Sequence, residues 1–317
     1  PIIPLTHVEL ASIQWGMNTK SPSASPEFSV REFFQRFPTE DTCLDHIMAV
    51  RFGGTRFECS VCGKDATHHK LAKRRTYVCA HCGHHVNPTA GTILENTRTP
   101  LVSWFYAIYL FCTTRHGVSG KELQRQLGVT YKTAYRIGQQ IRDLMAKAQG
   151  FDALLAGHIE LDEAYVGGRR SGGKRGRGAP GKTIVMGLAQ RGGRMKAVVI
   201  PNVKKDTLRD VVLENVEPGS VVSTDELYSY GLLTGDGFKH GRVKHGAKEY
   251  AYYDYRSGET FHVNTVEGFW KLFKASVRST HVQISGKHMQ RYLDEFTFRA
   301  THRHRVNGMF DLLLGAL

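Results

Sequence analysis

Residues 160–168 read ELDEAYVGG, and with His158 and Ile159 before them they begin as apolar residues alternating with polar ones. His158 to Asp162 therefore reads as a β-strand with Asp162 at its end. Downstream the same texture continues. Ile184–Ala189 and Met195–Ile200 read as a hairpin around Gly192-Gly193, a helix covers about Lys204 to Val216, and a strand from Ser220 to Thr224 runs into Asp225. An Asp directly after a β-rich run stands at the carboxyl edge of a sheet, where ligands gather in α/β folds. Two such carboxylates can hold Mg2+, a hard cation that takes oxygen ligands. A pair of ions about 3.5–4 Å apart serves both the attacking and the leaving oxygen of an in-line displacement. Strand-end aspartates are also common as plain caps, so neither residue says this alone.

A third segment, NTVEGFWKLFKASVR at 264–278, carries two faces of one helix. Val266, Phe269, Trp270, Phe273 and Val277 form an apolar stripe, and Asn264, Glu267, Lys271, Lys274 and Arg278 line up on another side. This suits a metal ligand followed by cations that clamp phosphate, and equally a solvated charged face over a core. Between the first two strands, Gly167 to Lys182 holds seven glycines, six Lys or Arg and no acid. Such a stretch cannot pack a core. It reads as a loop whose Arg169, Arg170, Lys174, Arg175 and Arg177 settle on a DNA backbone.

Upstream, Ser119 and Glu122 make a capping box, Leu123 and Leu127 an apolar stripe, Gly128 a helix stop and Thr130 the next cap. Ala134, Ile137 and Ile141 continue the face in a second helix. Helix, glycine turn, helix is the helix-turn-helix pattern, and its second helix would present Tyr131, Lys132, Thr133, Tyr135 and Arg136 to phosphates and base edges.

Four of the six cysteines form two C-x2-C pairs, Cys59/Cys62 and Cys79/Cys82, with glycine after each pair. That is four-thiolate zinc spacing, and a closed sulfur shell makes one Zn2+ structural rather than catalytic. Cys43 and Cys112 lie among apolar residues and read as small buried side chains. Residues 1–30, with Ser-Pro repeats, read as a loosely ordered arm, followed by short helical segments with a second start near Thr39.

Composition narrows the class. The chain has 317 residues, 41% hydrophobic and 10% aromatic, which excludes a wholly disordered protein, and 43 Lys and Arg against 29 Asp and Glu leave +14. A surplus of that size seeks a polyanion, and nucleic acid is the expected partner. The longest apolar run, Leu101 to Cys112, is too short to span a bilayer. The sequence begins at Pro1, which implies a start methionine before it, and no secretory signal is expected.

Taken together, these motifs resemble the bacterial insertion-sequence DDE transposases of the fifteen-ninety-five family with an ISXO-like catalytic domain. The resemblance runs from about Phe33 to Arg303. It is carried by Phe34-Gln-Arg-Phe-Pro38, the cysteine quartet, Gln124-Arg-Gln-Leu-Gly128 with Tyr131-Lys-Thr133, Leu161-Asp-Glu163, His262-Val-Asn264 and the stretch from His288 to Phe296. It implies a multidomain α+β chain: an arm and short helices at 1–50, a zinc ribbon at 51–95, a helix-turn-helix region at 96–150, and an RNase H-like mixed-sheet catalytic domain at 151–317 with a basic insertion at 167–182. It also implies cutting and joining of DNA at transposon ends and in a target, with Mg2+ or Mn2+, up to two ions, on Asp162 and Asp225. In the family's variant with Asn and Lys in place of the third acid, Asn264 and Lys271 take those positions. Asn offers no charge, so Glu267 stands as a rival or auxiliary ligand, with Glu295 a further candidate and His262 structural or a phosphate contact. Lys274 and Arg278 are expected on DNA. The expected partners are double-stranded DNA and further copies of the chain, as a homodimer or larger assembly, in a bacterial cytoplasm at the nucleoid and away from membranes. A non-catalytic DNA-binding regulator and a structure-specific nuclease are the alternatives.

Overall fold

The computed structural model describes residues 2–4, 28–72, 74–150, 153–167, 181–247, 249–304 and 306–317, which group into two compact units. A three-residue strand, β1 (Ile2–Pro4), opens the chain where the sequence suggested only a loose arm, and belongs to the second unit.

The first unit begins with two short helices, α1 (Val30–Arg36) and α2 (Glu40–Phe52). Each starts with a complete capping box, Ser29 with Glu32 and Thr39 with Thr42, which satisfies amides that a first turn leaves orphaned. Gly53, at φ 73°, ends α2 in the left-handed region. A four-stranded antiparallel sheet follows in sequence order, β2 (Arg56–Glu58), β3 (Asp65–Lys70), β4 (Tyr77–Cys79) and β5 (His85–Val86). Three helices complete this stretch: α3 (Leu101–Thr113), buried along most of its length, α4 (Gly120–Leu127) and α5 (Tyr131–Gln149). Ser119 accepts from the Glu122 amide, but the Glu122 carboxylate turns to Arg125 and Gln126, so only half of the expected capping box forms. A cation one turn along the same helix competes successfully for that carboxylate.

The second unit is built on a five-stranded sheet whose strands lie side by side in the order 239–242, 221–224, 158–166, 183–190 and 195–200. β6 (His158–Val166), β7 (Thr183–Gln190) and β8 (Met195–Ile200) form an antiparallel meander. After α6 (Lys205–Asn215), the chain returns on the far side of β6 as β9 (Val221–Thr224) and β10 (Lys239–Arg242), both parallel to it. Three antiparallel strands extended beyond the first by two parallel ones make the RNase H-like mixed sheet that the sequence led us to expect. β11 (Ala251–Asp254) and β12 (Glu259–His262) form a hairpin that pairs with β1. α7 (Asn264–Ser276) and α8 (Met289–His302) cover one face of the sheet and α6 the other. The alternation along β6 divides these cores: Ile159 and Leu161 join Leu208 and Val212 of α6, while Ala164 and Val166 join Trp270, Phe273 and Leu293.

The last helix, α9 (Val306–Gly315), returns to the first unit, whereas the sequence reading had carried the catalytic domain through to Leu317. Its Phe310 is fully buried among Phe28, Phe33, Phe37 and Phe105. Burying that aromatic body, rather than sequence proximity, decides where the tail packs.

Candidate metal centres and nucleic-acid interface

Asp162 does not end its strand, because β6 continues to Val166. It nevertheless lies beside Asp225 for a register reason. Glu160 of β6 pairs with Ser223 of β9, so two residues further along these parallel strands Asp162 comes level with Asp225. β9 stops at Thr224 while β6 runs on, and Asp225 sits in the notch this leaves. The strand end is fixed by Thr224 Oγ1, 2.9 Å from His240 Nε2, and by Asp225 Oδ1, which accepts the Leu227 amide at 2.9 Å.

A third acid joins them. Carboxylate oxygens of Asp162, Glu163 and Asp225 all lie within 4.8 Å of one another. Glu163 is buried, and the Tyr230 hydroxyl donates to its Oε2 at 3.1 Å. The sequence contained Glu163 in plain view, but a residue adjacent to Asp162 on a strand points to the opposite face. Only the notch at the end of β9 lets both acids reach one point. Burial pushes the Asp162 carboxyl up to about 8, with the charges of Glu163, Asp225 and Glu267 adding to this and Lys274 opposing it. Three carboxylates crowded in this way suit a hard divalent cation, since a cation relieves the repulsion that now favours a proton.

α7 reaches this cluster because of one glycine. Gly187 of β7 is the direct cross-strand partner of Asp162, so both positions face α7. A Cβ at Gly187 would lie 2.8 Å from Trp270 Cζ2 and 2.9 Å from Val266 Cγ2, and its absence lets the helix settle onto the sheet. Glu267 and Lys274, two turns apart, thereby act electrostatically on Asp162. Burial pulls the Lys274 ammonium below its ordinary range while Asp162 pulls it up. Lys271 is 81% exposed, with its Nζ 4.0 Å from Glu267 Oε2. Asn264 is exposed at the first residue of α7, and Arg278 lies just beyond the helix in a π-helical turn, Val277–His281. His262 Nδ1 stands 3.0 Å from Glu160, and Glu295 is fully buried against Arg299 at 3.0 Å.

The cysteine quartet closes on itself. Cys59 follows β2 and Cys79 ends β4, and each begins a tight knuckle closed by a glycine amide, Gly63 to the Cys59 carbonyl at 2.8 Å and Gly83 to the Cys79 carbonyl at 3.0 Å. Both glycines have positive φ, 64° and 73°. The four sulfurs lie within 4.8 Å of one another, and Cys59 Sγ and Cys82 Sγ are 3.7 Å apart. That spacing is far too long for a disulfide and matches the edge of a tetrahedron with Zn–S bonds of about 2.3 Å. The Cys62 and Val61 amides donate to the Cys59 sulfur and lower its thiol below the ordinary range, toward the thiolate form that a zinc ion takes. Cys43 and Cys112 are buried outside this group.

α4 and α5 are joined by a turn in which Gly128 takes the left-handed conformation that ends α4. On α5, Tyr131, Lys132 and Arg136 are exposed, with Thr133 and Tyr135 partly so, and Ala134, Ile137 and Ile141 are buried. Gly120 lets the Tyr131 ring lie against the start of α4, with Lys121 over the ring at 5.0 Å. Arg169, Arg170, Lys174, Arg175 and Arg177 of the basic insertion lie outside the described residues. No helix among the described residues is long and apolar enough to cross a membrane.

Residues 154–301 match the ISXO2-like transposase domain and residues 38–85 match a transposase zinc-ribbon domain. An uncharacterized transposase-like protein of Haemophilus influenzae is 30% identical over 127 residues, which cover 39% of this chain and 97% of that one. The crystal structure of a pre-cleavage Mos1 transpososome aligns with 62% of this chain and 73% of its own at 11% identity, with a TM-score of 0.19, too loose a likeness to say anything of the fold.

Proposed function

Because the chain belongs to the ISXO2-like transposases, we propose that its notch of three carboxylates cleaves the ends of a mobile DNA element and joins them to target DNA. The observation that carries this reading is the convergence of Asp162, Glu163 and Asp225 within 4.8 Å at a sheet edge inside the matched domain. A divalent ion bound there supplies a polarised water and charge relief on the leaving oxygen. Asp162 and Asp225 would hold such an ion from adjacent parallel strands, and Glu163, fixed by Tyr230, would be the third carboxylate within reach. The Asn264 carbonyl or the Glu267 carboxylate, both in the first turn of α7, would complete that shell, the one neutral and the other charged. Lys271, exposed on the same helix, meets the phosphate of the strand being cut.

Water hydrolyses the phosphodiester at the element's end, and the freed 3′-hydroxyl then displaces at a target phosphodiester, with no covalent bond to the protein. Tyr131, Lys132, Thr133, Tyr135 and Arg136 of α5 hold the inverted-repeat DNA, while the zinc-closed ribbon stiffens a sheet with little apolar core of its own. Two DNA ends require at least two copies of the chain, which acts at the nucleoid.

The test is nicking and strand joining on cognate end DNA with Mg2+ or Mn2+. Asp162→Ala and Asp225→Ala should each lower both steps by on the order of a thousandfold or more while end binding persists. Wild-type rates in either variant would remove the carboxylate notch as the site of chemistry.

A further inference from the structure

Two residues before Asp162, on the same face of β6, lies a carboxylate with no place in that chemistry. Glu160 is fully buried. Its Oε2 accepts the Thr265 amide at 2.7 Å and the Val266 amide at 3.2 Å, and its Oε1 accepts the Thr265 hydroxyl at 2.9 Å. Those amides belong to the second and third residues of α7, whose first residue is Asn264. Val263, at the cap position, gives no side-chain bond, so the helix takes its cap from a strand about a hundred residues earlier in the chain. A carboxylate at this end of a helix also meets the positive end of its dipole.

The charge is balanced from the other side. Arg191 Nε donates to Glu160 Oε1 at 3.0 Å. Arg191 also donates to the backbone carbonyls of Thr260 at 2.6 Å and His262 at 3.2 Å. The strand that leads into α7 is thus tied to the same carboxylate as the helix it starts. An ionic group this deep is expensive to keep, and simple stability favours an apolar replacement over such a cluster. What the arrangement fixes is geometry: one strand carries both Asp162 and the anchor for the helix that bears Asn264 and Glu267.

We propose that Glu160 is a positioning residue for the divalent-ion site, setting the distance from Asp162 to Asn264 and Glu267 by clamping the first turn of α7. The inference rests on the metal-site reading above. It is tested without DNA or turnover, by titrating Mn2+ into the full-length, zinc-loaded chain and following the spectrum of free Mn2+ by electron paramagnetic resonance. Wild type should bind Mn2+ and Asp162→Ala should not. Glu160→Gln keeps the shape and one acceptor oxygen, and should weaken Mn2+ binding by about tenfold, with Glu160→Ala weaker still. Thr265→Val removes one tether, leaves both charges in place and should weaken binding several-fold. This variant keeps the test decisive even if a change at Glu160 prevents folding.

A merely structural role would lower the melting temperature of Glu160→Gln or Thr265→Val and leave Mn2+ affinity at the wild-type value, which would overturn the proposal. Loss of binding in Asp162→Ala alone would uphold the site and remove Glu160 from it. Unchanged binding in Asp162→Ala would instead overturn the site itself.

Discussion

At the scale of single residues, Asp162 shows what crowding a buried carboxylate among other acids costs a fold. Its carboxyl is held up to about 8, above the ordinary 3.8, by burial and by neighbouring acids. In this range the folded chain binds more protons than the unfolded one, so the contribution of Asp162 to stability falls as pH rises from about 4 to about 8 and is level above that. Asp162→Asn keeps the shape and removes the charge. In metal-free buffer at pH 8.5, this variant should therefore melt higher than wild type by at least a few degrees, and the difference should shrink toward pH 5. Adding Mn2+ should raise the melting temperature of wild type and leave the variant unmoved. Thermal melts at the two pH values, with and without the ion, check all of this. A variant that melts lower than wild type at pH 8.5 would mean the acids are not in conflict.

At the scale of elements, the packing of α7 on the sheet is the step on which the site depends. Gly187→Ala places a methyl group 2.8 Å from the Trp270 ring and 2.9 Å from Val266. A buried ring cannot yield as a flexible chain end does, so the helix must lift, at about 1–3 kcal/mol. Nicking should fall by more than tenfold, since Glu267 and Lys274 move with the helix. Trp270→Leu should recover part of both losses in the Gly187→Ala background although it harms the wild type, a coupling that a double-mutant cycle in urea melts would register. The ribbon depends on its ion in a similar way. Its apolar cluster is little more than Cys59, Ala66 and Cys79, so chelating zinc should unfold residues 56–86 and abolish end binding, as read by the loss of protected amides on hydrogen exchange.

Which of these elements could be read in advance follows from the range of the interactions. The ribbon, the helix-turn-helix and the stripe of α7 are written within thirty residues or fewer, and spacing reveals them. Asp225 was legible because a strand ends beside it. Glu163, Gly187 and Glu160 take their roles from strand register and from a helix about a hundred residues away, and Phe310 from a core formed by the opposite end of the chain. Nothing local distinguishes them. The place of Asp162 within β6 was misread for a related reason: the strand does not end at Asp162, because pairing with β7 continues to Val166.

For the molecule as a whole, the surplus of +14 sets how it meets DNA, but it does not say which cations do so. Each phosphate neutralised on duplex DNA releases counterions, and the logarithm of affinity falls by about 0.9 per contact for each logarithmic unit of salt. Lys132 and Arg136 are exposed on α5, and replacing either with Ala should make that slope shallower by about one. Lys274 stands differently. The sequence groups it with Arg278 as a phosphate contact; it is half-buried, and the charges of Asp162 and Glu267 act on its ammonium. A cation that neutralised carboxylates of its own protein would release no counterion on meeting DNA. Lys274→Ala should therefore leave the salt slope of end binding unchanged between 50 and 200 mM, while altering the Mn2+ concentration needed for half-maximal nicking. Fluorescence anisotropy on labelled end DNA across a salt series, beside a Mn2+ series in the nicking assay, separates the two roles. A slope shallower by one in Lys274→Ala would return that residue to the DNA surface and leave the acids of the notch to be balanced by the divalent ion alone.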